Sequence, residues 1–179
     1  MGYTHYWRQQ CDFTDTEWQE LTRLAKLIIA DNEGILSDGF GEGGKPEVNG
    51  EHIWFNGLGE DSHETFRITK KKRAKEDYEE QEAYDRQGAF EFCKTAHKPY
   101  DKYVVAVLCA LYNLSNVPPQ RNRNAHPMRK ITSDGNTADW TEGLFHAVRS
   151  TRREEMYCPI RDCLTLSYVD YVDQEKKTG

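Results

Sequence analysis

The run from Val104 to Tyr112 constrains this chain more than any other stretch. Val104, Val105, Val107, Leu108 and Leu111 leave almost no polar side, so a helix here must be central to the fold. Pro99 suits a first-turn position, where its missing N–H costs nothing. Asp101 puts negative charge at the positive end of the helix dipole. The spacing predicts a helix over residues 99–114. Immediately before it stands Phe90-Glu91-Phe92-Cys93-Lys94-Thr95-Ala96-His97-Lys98, which reads as a strand and a tight polar turn. A strand, a turn crowded with reactive side chains and a buried anchor are how a rigid scaffold presents chemistry.

The rest of the chain supplies partners for that helix. Tyr3, His5 and Trp7 alternate with Thr4, Tyr6 and Arg8, a strand with rings on both faces. Thr14 and Glu17 make a capping box. Trp18, Leu21, Leu24, Ala25 and Ile28 then share one helical face, with Gly34 as a stop. Gly39-Phe40-Gly41-Glu42-Gly43-Gly44 lacks the GK[ST] ending of a phosphate loop, and Pro46 follows, so it reads as a flexible surface loop. His52–Phe55 is a strand that runs into an Asn56-Gly57 tight turn. Residues 64–69 alternate as a strand and 90–95 form the next one. Asn113–Pro127 is a loop, 129–132 a short strand, and Trp140–Arg152 an amphipathic helix. Leu164, Leu166, Tyr168 and Tyr171 suggest a last strand or tail.

This order predicts an α+β domain: a mainly antiparallel sheet, two to three helices on one face, and a long charged insert. Residues 1–152 form the domain, 70–87 its mostly charged insert, and 153–179 a C-terminal strand or tail. The insert reads as a solvated hairpin tip or helix. At 179 residues the chain needs no second domain.

Charge and cysteines narrow the setting. The net charge of -6 disfavours non-specific nucleic-acid binding, which needs a positive field. Five cysteines without a secretory leader suggest reduced thiols, hence a soluble cytoplasmic protein. The longest apolar run is about half a membrane span.

Several strings are distinctive: Gly2-Tyr3-Thr4-His5-Tyr6-Trp7, Ile53-Trp54-Phe55-Asn56-Gly57, His63-Glu64-Thr65-Phe66, Phe90–Ala96 with Lys98-Pro99-Tyr100-Asp101, and Ser133-Asp134-Gly135. Together they resemble an uncharacterised family found in bacterial genomes and their phages, over most of residues 1–140. The family brings no activity with it. The phage link implies a host-cytoplasmic protein that blunts defence, either by sequestering a nucleotide signal or by grasping a defence protein.

The residues themselves favour a ligand site. Tyr6, Trp7, Trp54 and Tyr100 can stack on a flat base, and Tyr3 and Phe55 add further rings. Asn56, Glu64 and Asp134 can bond a base or ribose edge. Lys94, Lys98 and Arg67 can meet phosphate. Thr95–Lys98 precedes a helix and offers backbone N–H groups to an anion. His5 and His63 complete the candidate set. The plain alternative is that the rings are core and the charges surface.

The first expectation is therefore a binding protein for a small nucleotide-like anion, with neither metal nor cofactor and with no catalytic residue. The alternative is an inhibitor that binds a host protein. A third reading is a nucleotide or phosphodiester enzyme with His63 and Glu64 as first suspects. A homodimer could share the site across a two-fold axis. Cys93 reads as a half-buried filler.

Overall fold

The computed structural model describes residues 2–114, 128–160, 165–166 and 176–177. The fold is α+β with antiparallel sheets. β1 (Thr4–Gln9) is the middle strand of a three-stranded sheet, between β6 (Ala89–Lys94) and β7 (Met128–Ser133). A second sheet centres on β4 (His52–Gly57). β2 (Leu36–Ser37) and β3 (Glu47–Val48) pair with one side of it, and β5 (Phe66–Thr69) with the other.

The helices form because their capping and periodicity agree. α1 (Asp15–Ile29) carries the expected Thr14/Glu17 capping box, and all five residues of the expected face are buried. α3 (Asp101–Tyr112) is buried from Tyr103 through Leu111. α4 (Thr137–Thr151) starts earlier than hydrophobic spacing suggests, because Asn136 and Asp139 make a second capping box. α3 and α4 pack on the inner face of the first sheet, where the Trp140 indole meets the His5 ring edge to face and Asp101 bonds His5, and α1 packs against both of these helices.

Three local expectations change. Asn56-Gly57 is not a turn; both residues lie within β4. Gly57 is needed because a Cβ there would strike the Asp61 carbonyl. The glycine-rich loop is an ordered turn around a carboxylate, since Asp38 accepts N–H bonds from Phe40, Glu42 and Gly44. An internal anion thus fills the place a phosphate would take, and these bonds hold the Asp38 carboxyl below its usual range. Cys93 is fully buried rather than half-buried; burial raises its thiol pKa far from any thiolate role.

The segment after residue 152 joins the same core. Met156 in β8 (Met156–Tyr157) and Cys158 are both fully buried, and Tyr157 exchanges bonds with the Asn113 side chain. Only Thr165–Leu166, as β9, is described of the expected last strand; Leu164, Tyr168 and Tyr171 lie outside the described residues, as does most of the 113–127 loop. Among the described residues, no helix is long and apolar enough to cross a membrane.

α3 and α4 approach closely at Gly143, where a Cβ would collide with Val105 Cγ1. Gly143→Val should lose about 1–3 kcal/mol to overpacking, despite its better helix propensity. Urea unfolding measures this, and an unchanged midpoint would refute the close approach.

Candidate functional site

Alternation along β1 divides the expected site into two. His5 and Trp7 point inward, and Tyr6 and Arg8 outward. Inward, His5 is fully buried. Its Nε2 lies 2.7 Å from Asp101 Oδ1 and its Nδ1 2.9 Å from Ser133 Oγ. Thr95 Oγ1 donates to the same Asp101 oxygen, and Gly135 N–H donates to Ser133 Oγ. The bonds run consistently in one direction if His5 carries its proton on Nε2.

This Ser-His-Asp chain looks like a hydrolase relay, but it lacks a second part. The Gly135 N–H is spent on the Ser133 hydroxyl itself, Asp134 N–H on the Thr4 carbonyl and Asn136 N–H on Asp139. No amide of that turn is left to hold an oxyanion. The chain ties β1, β7 and the start of α3 together.

Most of the other expected residues are also occupied within the fold. Trp7 is 1% exposed and Tyr100 is fully buried, with its hydroxyl donating to the Glu64 carbonyl. Asn56 uses its whole amide, donating to the Gly39 and His63 carbonyls and accepting from the Gly57 and His63 N–H groups. The Glu64 carboxylate accepts the Lys94 N–H. His63 is exposed and acts through its backbone. Thr95, Ala96 and Lys98 N–H groups of the turn expected to hold an anion already donate to carbonyls.

Trp54, Lys94 and Lys98 share no contact. Trp54 packs on Phe40, His52 and Gly39, and Lys94 lies over Gly2. The Lys98 ammonium reaches the Glu60 carbonyl. The ligand site expected from the sequence does not gather all three.

What does converge lies on the outward face. Antiparallel register puts Lys94 beside Thr4, Phe92 beside Tyr6 and Phe90 beside Arg8. The Tyr6 and Phe90 rings stack at 6.1 Å and 19°, and Phe90 and Phe92 lie 5.9 Å apart. Arg8 sits over the Phe90 ring at 5.1 Å. Phe92 is 47% exposed. The Tyr6 hydroxyl donates to Asp134 at the far end of the row. Three rings thus lie in a row between two cations on the outward face, Phe92 exposed and Tyr6 and Phe90 half-buried, while α3 and α4 cover the opposite face.

The charged insert finishes this sheet at its edge. Phe90, Phe92 and Lys94 turn their backbone groups away from β1. At Phe90, Glu79 accepts the N–H at 2.8 Å and Arg73 donates to the C=O at 2.6 Å. This ion pair stands in for a neighbouring strand, an edge protection built from side chains. Arg73 also bonds Glu91, and the Tyr84 hydroxyl, from α2 (Gln81–Gln87), closes on the Arg73 carbonyl. The insert is therefore a pinned clamp. The 64–69 stretch does the same at Lys94, where Glu64 supplies both a carboxylate and an N–H. Phe92, between them, has neither among the described residues.

Sequence reasoning missed Arg8, Phe90 and Phe92 as site residues. Their signal was available: all three fall on the same alternating face as Tyr6 and Lys94. No family model, curated protein or solved structure matches the chain.

Burial works to raise the Glu79 pKa, but bonds from Arg73 and from the Glu76 and Phe90 N–H groups outweigh it and hold it at about 2. Its contribution is complete above the unfolded carboxyl pKa of roughly 4.3, and is lost as pH falls from there towards 2. Glu79→Gln should lower stability at pH 7 and flatten this part of the acid-unfolding curve. Parallel curves for the two proteins would refute the clamp.

Proposed function

We propose that the protein binds a nucleotide-like anion on the open face of its first sheet, and holds it without processing it. The observation that carries this reading is the Tyr6–Phe90–Phe92 row flanked by Arg8 and Lys94. Leaving Phe92 in water forgoes about 25 cal/mol per Å² of burial. A contiguous row of them beside cations fits a stacking platform, where each base contributes about 1–3 kcal/mol. The cations are few and the net charge is -6, which suits a small anion better than a long nucleic acid. The resemblance to bacterial and phage proteins makes a nucleotide signal the first ligand class to screen, and sequestration the first role.

A second reading, binding to a host protein, rests on Phe40. It is 70% exposed, yet the loop that carries it is braced by three bonds to Asp38 and by edge contact with Trp54. A rigid exposed ring is the form of an interface anchor.

Isothermal titration against mono-, di- and cyclic nucleotides tests the first reading. Binding should occur with the ligand recovered unchanged. Phe92→Ala should weaken it about tenfold while shifting stability by no more than about 0.5 kcal/mol, as for an exposed position. If no nucleotide binds, or if Phe92→Ala binds equally well, the platform reading fails.

A further inference from the structure

Two asparagines of this chain precede a glycine, and the fold treats them in opposite ways. Asn49-Gly50 lies in the turn between β3 and β4, and both residues are exposed. Asn56-Gly57 lies inside β4, with Asn56 only 3% exposed. An asparagine carboxamide before glycine is open to attack by the glycine's own backbone nitrogen. No side chain crowds that nitrogen, and the glycine backbone turns freely.

The β3–β4 turn brings the reacting groups together. Asn49 Oδ1 accepts the Glu51 N–H at 2.9 Å and the His52 N–H at 3.0 Å. The first of these bonds closes a small ring that contains the Gly50 nitrogen. Two N–H donors on that oxygen also meet the charge that develops there when Cγ is attacked, as an oxyanion hole does. The Gly50 N–H makes no hydrogen bond to a described residue, so none must break to free it. Asn49 Nδ2 meets His52 Nε2 at 3.2 Å on an exposed residue, so ammonia can depart into water. In β4 the same parts are locked. The Gly57 N–H donates to Asn56 Oδ1 at 2.8 Å, and Asn56 Nδ2 donates to the Gly39 and His63 carbonyls.

We propose that Asn49-Gly50 is a self-modification site, where the folded turn converts Asn49 to isoaspartate and aspartate. The Gly50 nitrogen bonds to Asn49 Cγ and gives its proton to water. The Cγ–Nδ2 bond breaks, and the departing nitrogen takes a proton from water and leaves as ammonia. Water then opens the resulting succinimide at either carbonyl. The sum is amide plus water to carboxylic acid plus ammonia, with no oxidant or reductant.

The change reaches beyond the turn. The Asn49 carbonyl accepts the Trp18 indole N–H at 3.0 Å, which ties α1 to this hairpin, and the Asn49 N–H donates to the His52 carbonyl. Isoaspartate adds a carbon to the main chain between these two groups, so it cannot keep both bonds in place. Either product also adds a negative charge between Glu47 and Glu51. The turn belongs to the second sheet, and its chemistry is independent of any ligand on the first.

The test ages the purified full chain at physiological temperature and mildly alkaline pH. Peptide mapping by mass spectrometry, with fragmentation that distinguishes isoaspartate from aspartate, follows both Asn-Gly pairs over time. Asn49 should convert, chiefly to isoaspartate, while Asn56 stays intact. Gly50→Ala should slow this by about tenfold or more, since intramolecular attack is sensitive to small displacements. That variant should fold normally, because a Cβ at Gly50 meets nothing within 4 Å and the backbone there is not left-handed. Aged wild-type protein should melt below fresh protein, and aged Gly50→Ala should not.

An Asn49 still intact when a free peptide of residues 47–52 has converted fully overturns the proposal. Conversion of Asn56 as fast as Asn49 does so too, since the fold then selects nothing. A product that is all aspartate, or an unchanged rate in Gly50→Ala, rules out attack by the Gly50 nitrogen.

Discussion

The bond between His5 and Asp101 decides which face of the first sheet is inside. It joins the middle strand to the first turn of the central helix at 2.7 Å, with His5 fully buried and Asp101 mostly so. Side chains alternate along a strand with period two, so a slip of one residue would exchange the faces. With His5 held against α3 and Trp140, Trp7 must enter the core, and Tyr6 and Arg8 must leave it. The open row of rings is thus a consequence of a buried polar contact. An unpaired imidazole or carboxylate at that depth would cost about 1–3 kcal/mol or more, which makes the alternative register expensive.

The same chain uses side chains to manage the edges that two small sheets create. Glu79 with Arg73, and Glu64 with its own backbone, satisfy β6 at positions 90 and 94. The Asp38 carboxylate does a related task in the glycine-rich loop, where it collects three N–H groups that would otherwise point into solvent. In each case an acidic residue that looks like surface charge completes a backbone. This is why an acidic, polar chain can still fold around one continuous core.

Element identity was legible in the sequence to the extent that periodicity carries it. The buried face of α1 and its capping box followed directly from Thr14, Glu17 and the spacing of Trp18 through Ile28. The all-apolar run from Val104 gave α3. Side-chain capping of backbone was much less legible. Asn56-Gly57 carries a strong turn signature, but Asn56 bonds two loops and Gly57 is required by the Asp61 carbonyl, contacts set by tertiary approach. The insert at 70–87 reads as solvated charge because nothing local says that Arg73 and Glu79 will meet Phe90.

For the site, the strings were informative and their shared use was not. His5, Thr95, Asp101 and Ser133 do meet, but as a structural tie. Trp54 and Lys98 belong to other neighbourhoods. Only the face rule, applied strictly to β1 and β6, separates Tyr6, Phe90 and Phe92 from Trp7 and Cys93.

Mapping backbone amide shifts during titration with a tight-binding nucleotide tests the central claim most directly. The account expects the largest changes at Tyr6, Arg8, Phe90, Phe92 and Lys94, with the Phe40 loop and the inner residues of α3 nearly still. Changes centred on the Phe40 loop, or spread through the helical core with the sheet face silent, would contradict it.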